Sequence, residues 1–277
     1  MKRLSARRGD RSMAELTACH VTGNLEGVWR FGLFPWISVA CVLAAANVYG
    51  GPPLLTDDPD TPGPNHWEIN VGATSEDAAH QWVFGAPLMD INYGVGERIQ
   101  LKYQVQLNEL VPQQGGVRVG VGNSLAGVKW RFVDQTNGSW LEISIYPQLE
   151  FVYPSTSGPR GLAVSGDNVL LPVEVEHQFK SLTLYAEGGY IWNQHAVAAG
   201  WYGLAGEYEL SEKFSLMGEL YGGFDSAFEN SGLSFNLGFR RRLTEHVALI
   251  GSAGRGIFGP SLSAPAFMSY LALQLTL

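Results

Sequence analysis

Chemistry that makes or breaks bonds needs a nucleophile and a base, or a metal and its ligands. The 277-residue chain has six histidines: His20, His66, His80, His177, His195 and His246. None stands in the His-x-Ser arrangement of membrane-barrel phospholipases and deacylases, and no Gly-x-Ser-x-Gly elbow occurs. The histidines are scattered, so no His-rich metal site is expected. Cys19 and Cys41 are the only cysteines, which leaves residues 51–277 with neither a disulfide framework nor a Cys-ligated zinc. Gly120 and Gly122 lack the third glycine and the βαβ setting of a dinucleotide loop and read as part of a flexible loop. No cofactor is expected. His177, near a turn, reads as an interfacial side chain.

The residues that remain are charged, and their spacing is regular. Lys102, Lys129, Arg131, Glu142, Glu150, Glu174, Glu176, Glu187, Glu207, Glu209, Glu219, Arg240 and Arg242 each fall on the polar side of an alternating segment. The stretch RIQLKYQVQLN, residues 98–108, shows the pattern without a fault: Ile99, Leu101, Tyr103, Val105 and Leu107 alternate with Gln100, Lys102, Gln104, Gln106 and Asn108. Successive side chains of a β-strand point to opposite faces, so each such strand has one apolar and one polar face.

Twelve alternating segments are expected, at 65–74, 86–95, 98–108, 123–133, 140–153, 168–179, 182–192, 201–210, 213–224, 232–243, 246–256 and 266–277. Their connections alternate between short and long. Gly96 with Glu97, Lys180 with Ser181, Ser211 with Glu212, and Thr244 with Glu245 make very short turns, and the turn with Asn137 and Gly138 is little longer. The others, 75–85, 109–122, 154–167, 193–200, 225–231 and 257–265, are long. Consecutive antiparallel strands place alternate connections at opposite ends. One end therefore has tight turns and both termini, and the other has long loops. That asymmetry, an even strand count and segments of about ten residues belong to an all-β, up-and-down transmembrane barrel of an outer membrane. Soluble strands average about five or six residues.

Energetics decide which face meets lipid. An Arg or Lys facing lipid near the midplane costs about 2–4 kcal/mol, and Asp or Glu somewhat less. A dozen such groups would exceed the whole stability of an ordinary fold. The polar face must therefore look inward to a lumen. A soluble barrel avoids this cost too, but it gives no reason for the loop parity, the strand length or the export signal. Trp67, Phe151, Tyr153, Phe179, Trp192, Trp201, Tyr202, Phe214 and Phe224 lie near segment ends, where the aromatic belts of a barrel sit. Pro147 and Pro172 remove ladder donors within segments, so bulges are expected there. Arg241 falls on the lipid register and should lie at the periplasmic boundary. Segment 246–256, with Gly251, Gly254 and Gly256, is weak.

Ahead of the barrel, residues 1–50 read as a signal peptide: an apolar run at 31–46 follows a basic stretch, with cleavage near 46–50. Sixteen residues interrupted by Pro35 are short for a membrane anchor, the alternative reading. Residues 51–64, rich in Pro and Asp, read as an extended periplasmic leader rather than a plug folded into the lumen. The barrel proper is expected over 65–277. The net charge of −8 argues against nucleic acid as a partner. The expected partners are outer-membrane lipid, small-molecule solutes and the barrel-assembly machinery of a Gram-negative bacterium.

The lumen charges suggest two roles. Glutamates come from segments five to nine and most basic groups from segments three, four and ten, so an acidic wall could face a basic one. Such a transverse field would orient and select solutes passing through an open pore. Alternatively the charges pair across a narrow lumen and hold it shut. An outer-membrane enzyme acting on lipid is the third reading, and it needs a catalytic pair.

The stretch LTDDPDTPGPNHWEINVG, at 55–72, together with MDINYGVGERIQLKYQV and GNSLAGVKWRF, resembles the "MetA-pathway of phenol degradation" family of outer-membrane transporter-like barrels. In that family a Thr-Asp-Asp-Pro-type leader precedes a first strand containing Trp-Glu, here Trp67 and Glu68. The resemblance covers most of residues 54–277. It implies an outer-membrane barrel that takes up small, aromatic or hydrophobic compounds, and it carries over no site residues. The chain departs from many outer-membrane barrels by ending in Leu277 rather than Phe.

Overall fold

The computed structural model describes residues 51–277 except 79, 136–137, 165, 194–198, 227–230 and 260–263. The signal-peptide reading, Asn137 and His195 lie outside the described residues. The strands are β1 (Trp67–Ala78), β2 (Gln81–Val95), β3 (Ile99–Pro112), β4 (Arg118–Val133), β5 (Glu142–Ile145), β6 (Gln148–Val152), β7 (Asn168–Phe179), β8 (Leu182–Asn193), β9 (Ala199–Ser211), β10 (Phe214–Asp225), β11 (Gly232–Arg242), β12 (Val247–Phe258) and β13 (Phe267–Thr276). β5 and β6 are two halves of one stave. Each stave pairs antiparallel with the next, and β13 returns to β1 with Glu68 opposite Thr276 and Asp77 opposite Phe267. The sheet is thus a closed, twelve-stave transmembrane barrel, which removes every strand edge from lipid.

The alternation read from the sequence sets the two faces. Lys102 is 5 % exposed and Leu101 44 %. Gln100, Gln104, Gln106 and Asn108 are buried with Lys102, whereas Leu107, Leu149, Leu171, Leu204, Leu220, Leu237 and Leu273 are exposed on the outer face. Most of the belt aromatics point outward, including Trp67, Tyr153, Phe179, Trp192 and Tyr202. Trp201 corrects the belt assignment. It shares a face with Gly203 and Ala205 and is buried inside the lumen. Arg241 is exposed in the last turn of β11, beside the tight turn.

Two further expectations are corrected. The long loop at 75–85 does not form, because β1 and β2 pair up to Ala78 opposite Gln81. The polar run after Thr74 looks like loop by composition. In place it continues the zigzag, and Trp82 and Phe84 stack with ring centroids 5.6 Å apart. β3 and β4 likewise pair as far as Leu110 opposite Arg118, so the connection expected at 109–122 shrinks to 113–117. The wall is tallest over β1–β4. The long crossing at the open end is 153–167.

Pro147 and Pro172 produce a gap rather than bulges. Ile145 pairs with Trp130 and Gln148 with Gly127, and across β7 the partners are Val173 and Leu170. Three residues match three on either side, so the register never slips. Tyr146 donates its N–H to the Pro172 carbonyl at 3.1 Å, and Val128 donates to the Pro147 carbonyl at 3.0 Å. Each proline keeps its acceptor and lacks only its donor. The two missing donors fall side by side, which confines the defect to one place. Register shifts occur elsewhere: three are staggered across the first strands, at Gly72/Thr74, Gly85/Leu88 and Val105/Leu107, and others lie at Arg131/Val133, Phe214/Ser215 and Leu233/Ser234. Pro87 sits in the second of them.

Candidate functional site: a charged lumen with a leader inside it

The leader at 51–66 does not hang free in the periplasm. It enters the barrel past the tight-turn end and packs against the inner wall, which corrects the expectation of a free tail. Leu55 N–H donates to Glu219 of β10 at 2.9 Å, and the Thr56 N–H and hydroxyl both donate to it at 2.8 Å. Asp57 N–H donates to Glu187 of β8 at 2.9 Å. Leu54 packs with Tyr185, Ala205 and Met217, and Ser252 of β12 donates to the Pro53 carbonyl. A Cβ on Gly203 would collide with the Thr56 side chain, so this glycine is the notch that admits it.

The leader's acidic groups meet the basic residues of β4. Asp57 lies 3.1 Å from the Lys129 ammonium and Asp60 2.8 Å from the Arg131 guanidinium. Lys129 also reaches Glu174 at 3.2 Å and sits over the Tyr146 ring at 4.7 Å. Arg131 is shared with Glu142 at 3.0 Å. Burial pushes the Asp58 carboxyl of the leader up to about 6, against the pull of Lys129, with Asp60 and Asp57 adding to the rise. The composition of the leader predicts a free tail because it has too few apolar residues for a core of its own. Its partners are wall residues more than 70 positions distant, which no local pattern reveals.

All thirteen charged residues singled out by spacing face the lumen, but they do not form two opposed walls. Around the ring, β4 and β11 flank the acidic arc of β5–β10 on either side. Pairing is local: Lys102 with Asp90 at 3.5 Å, and Arg240 with Glu207 at 3.6 Å. Glu150 accepts from Asn123 and Asn168, and Glu187 also accepts the Trp201 indole N–H at 2.8 Å. Glu209 and Arg242 are exposed at the mouth. Alternation alone could have found Asp90, Asn92 and Asn236, which share the lumen register. Tyr146 sits at the proline gap and shares the parity of Glu142 and Glu150, but an aromatic ring in that position does not read as a polar lumen residue.

A second segment packs into the lumen from the long-loop end. In the 153–167 crossing, Ser157, Leu162 and Val164 are buried. Asn108 donates to the Leu162 carbonyl at 2.8 Å, and Val164 N–H donates to Asn123 at 2.9 Å. Val164 joins Leu125, Leu170, Ile191, Trp201 and Tyr221 in an apolar cluster, and Leu55 of the leader packs on it from the other side. The lumen therefore has an apolar band in its half nearer the long loops, where the two inserts meet. Below it, between leader and wall, a vestibule of about 380 Å³ is lined by Asp58, Glu176, Glu207, Glu209, Arg240 and Arg242, among others.

Of the described histidines, His177 lies between Trp140 and Phe179 and bonds the Trp140 carbonyl, and His246 bonds the Thr276 carbonyl. Among the described residues no histidine is hydrogen-bonded to a serine or a carboxylate.

No family model matches the sequence, and no curated protein matches it. Solved structures do. A COG4313 outer membrane channel from Pseudomonas putida F1 aligns with a TM-score of 0.58 at 16% identity, over 80% of this chain and 98% of that one. The NanC porin aligns at 0.56 and 7% identity, over 76% of this chain and 100% of that one. The KdgM porin aligns at 0.53 and 8%, over 75% and 98%. At these identities the likeness establishes the fold: the chain is built as a transmembrane up-and-down barrel of the kind these channels share.

Proposed function

We propose that this protein is an outer-membrane channel for passive passage of small solutes, held closed by its own leader and by the 153–167 crossing. The observation that carries this reading is what fills the lumen. The inward wall side chains are mostly polar, and the obstruction comes from two inserted segments rather than from wall side chains packed against one another. Ordering a leader residue costs about 1–2 kcal/mol. A hydrogen bond to a charged group contributes about 1.5–3 kcal/mol. The leader's charged bonds, with the burial of Leu54, offset much of that cost, so its hold depends on Glu219, Glu187, Lys129 and Arg131.

The apolar band supports a finer reading. Leu125, Leu170, Ile191, Trp201 and Tyr221 offer an apolar or aromatic solute a surface inside an otherwise polar lumen. This agrees with the uptake role implied by the resemblance to the MetA-pathway family. The structural neighbours, an outer membrane channel and two porins, support passage and an outer-membrane location for this chain. They do not name an aromatic solute. A permanently shut structural barrel is the rival reading, favoured by the buried Lys129, Asp57 and Glu174 group.

The test is conductance in planar bilayers and liposome swelling, with the mature protein and with a variant lacking residues 51–62. Passage predicts rare or small events for the intact protein and larger, sustained ones for the variant. Swelling with phenol faster than with a sugar of similar size supports the aromatic reading. Silence of both proteins in both assays leaves the shut barrel.

A further inference from the structure

One group in the vestibule holds more carboxylates than its two cations pair with among the described residues. Lys129 and Arg131 are the cations at the junction between the leader and the wall. Lys129 serves Asp57 and Glu174, and Arg131 serves Asp60 and Glu142. Asp58 and Glu176 lie in the same group and have no ion pair among the described residues. Glu176 is the more telling. It is only 8 % exposed, yet among the described residues it accepts no hydrogen bond. Its carboxylate opens on the vestibule, where water or an ion must satisfy it. It points at Asp58 and Asp60, and one carboxylate oxygen from each of the three residues lies within 4.8 Å of the others.

We infer that Asp58, Asp60 and Glu176 form a calcium site that fastens the leader to β7. Three observations meet here: the convergent oxygens, the unpartnered buried Glu176, and access from the vestibule that Asp58, Asp60 and Glu176 line. The ligand set selects the ion. Calcium takes about six to eight oxygens at about 2.3–2.6 Å in flexible geometry and gathers several carboxylates. Magnesium demands an octahedron at about 2.0–2.1 Å, keeps several waters and takes one or two carboxylates. Three carboxylates leave calcium positions for water, which the vestibule supplies. Two ligands come from the leader and one from the wall, so the ion bridges pieces that the backbone does not join. Histidine and cysteine spacing gives no sign of it, because its ligands are all carboxylates and Glu176 lies more than 110 positions from the other two.

The inference concerns binding, and it stands apart from whether the barrel conducts. Calcium chloride and magnesium chloride are titrated calorimetrically into the detergent-solubilised mature protein, and separately into the Glu176→Gln and Glu176→Lys variants. One saturable calcium site per chain is expected, with magnesium at least tenfold weaker. Glu176→Gln should weaken calcium at least tenfold. Glu176→Lys should abolish binding, because its ammonium takes the place of the ion, while the leader stays as resistant to added protease as in the calcium-loaded protein. Retention of a heat-modifiable band on gels shows that each variant is folded. Absence of saturable calcium binding by the folded parent protein overturns the inference, as does equal affinity in Glu176→Gln.

Discussion

At the scale of single residues, Glu219 and Gly203 hold the leader. Glu219 accepts from Leu55 N–H, Thr56 N–H and the Thr56 hydroxyl, and Asn236 donates to it from the wall at 2.6 Å. Its side chain points inward and takes no part in the ladder. Glu219→Ala should therefore free the leader without breaking the barrel. Losing even one of these charged bonds, at about 1.5–3 kcal/mol, raises the released fraction about tenfold or more. Gly203→Ala should act in the same direction by blocking Thr56. The measurement is the open probability of single channels, with heat-modifiability as the check on folding; unchanged gating in both variants would show that the leader is not the barrier. These two residues also mark what the sequence makes legible. That Glu219 faces the lumen follows from its place between Gly218 and Leu220 in an alternating strand. That it holds Leu55 and Thr56 does not, because the interaction spans more than 160 positions and the leader has no periodicity to project.

At the scale of elements, staves and turns at the tight end were readable because they obey local rules. A strict two-residue period sets each strand, and Gly96, with φ 64°, makes the β2–β3 turn in a conformation that costs glycine little. The open end was less readable. Residues 75–78 are polar enough to pass for a loop and hide the short apolar run 82–84 beyond them, and only their pairing shows both to be strand. The wall around Tyr146 is the element most open to change, since Pro147 and Pro172 remove two adjacent ladder donors there. Amides with fewer supporting bonds open at lower cost. In hydrogen exchange, the Val128 and Tyr146 amides should lose protection at least tenfold faster than the central amides of β10 and β11, whose ladder runs unbroken from Phe214 to Gly223. Equal protection across both regions would mean that the gap is sealed by packing alone.

At the scale of the whole molecule, a ring of staves with an inserted leader has a charge bias of its own. Of the thirteen inward charges found by spacing, eight are glutamates and five are lysine or arginine. Removing residues 51–62 takes three aspartates with it and leaves the wall acidic. A channel lined this way favours cations. In a potassium chloride gradient, the variant without the leader should show a reversal potential of the cation-selective sign, and the bias should fall when Glu207 and Glu209 at the mouth are both changed to Gln. An anion-selective potential would mean that Lys129 and Arg131, once relieved of Asp57 and Asp60, govern the field.

The seam of the ring joins the two extremes of the described chain. Trp67 and Leu277 exchange backbone bonds at 2.8 and 2.9 Å, directly after the leader and at the last residue. The circle cannot be completed until β13 pairs with β1, so the leader is walled in by a strand about 200 positions further along the chain. Either the leader is already lying between the unfinished staves when the seam zips, or it must thread in afterwards through the narrow mouth. The order of assembly is therefore written into a pair of hydrogen bonds, and a delay in docking β13 would leave an open ring with its leader exposed.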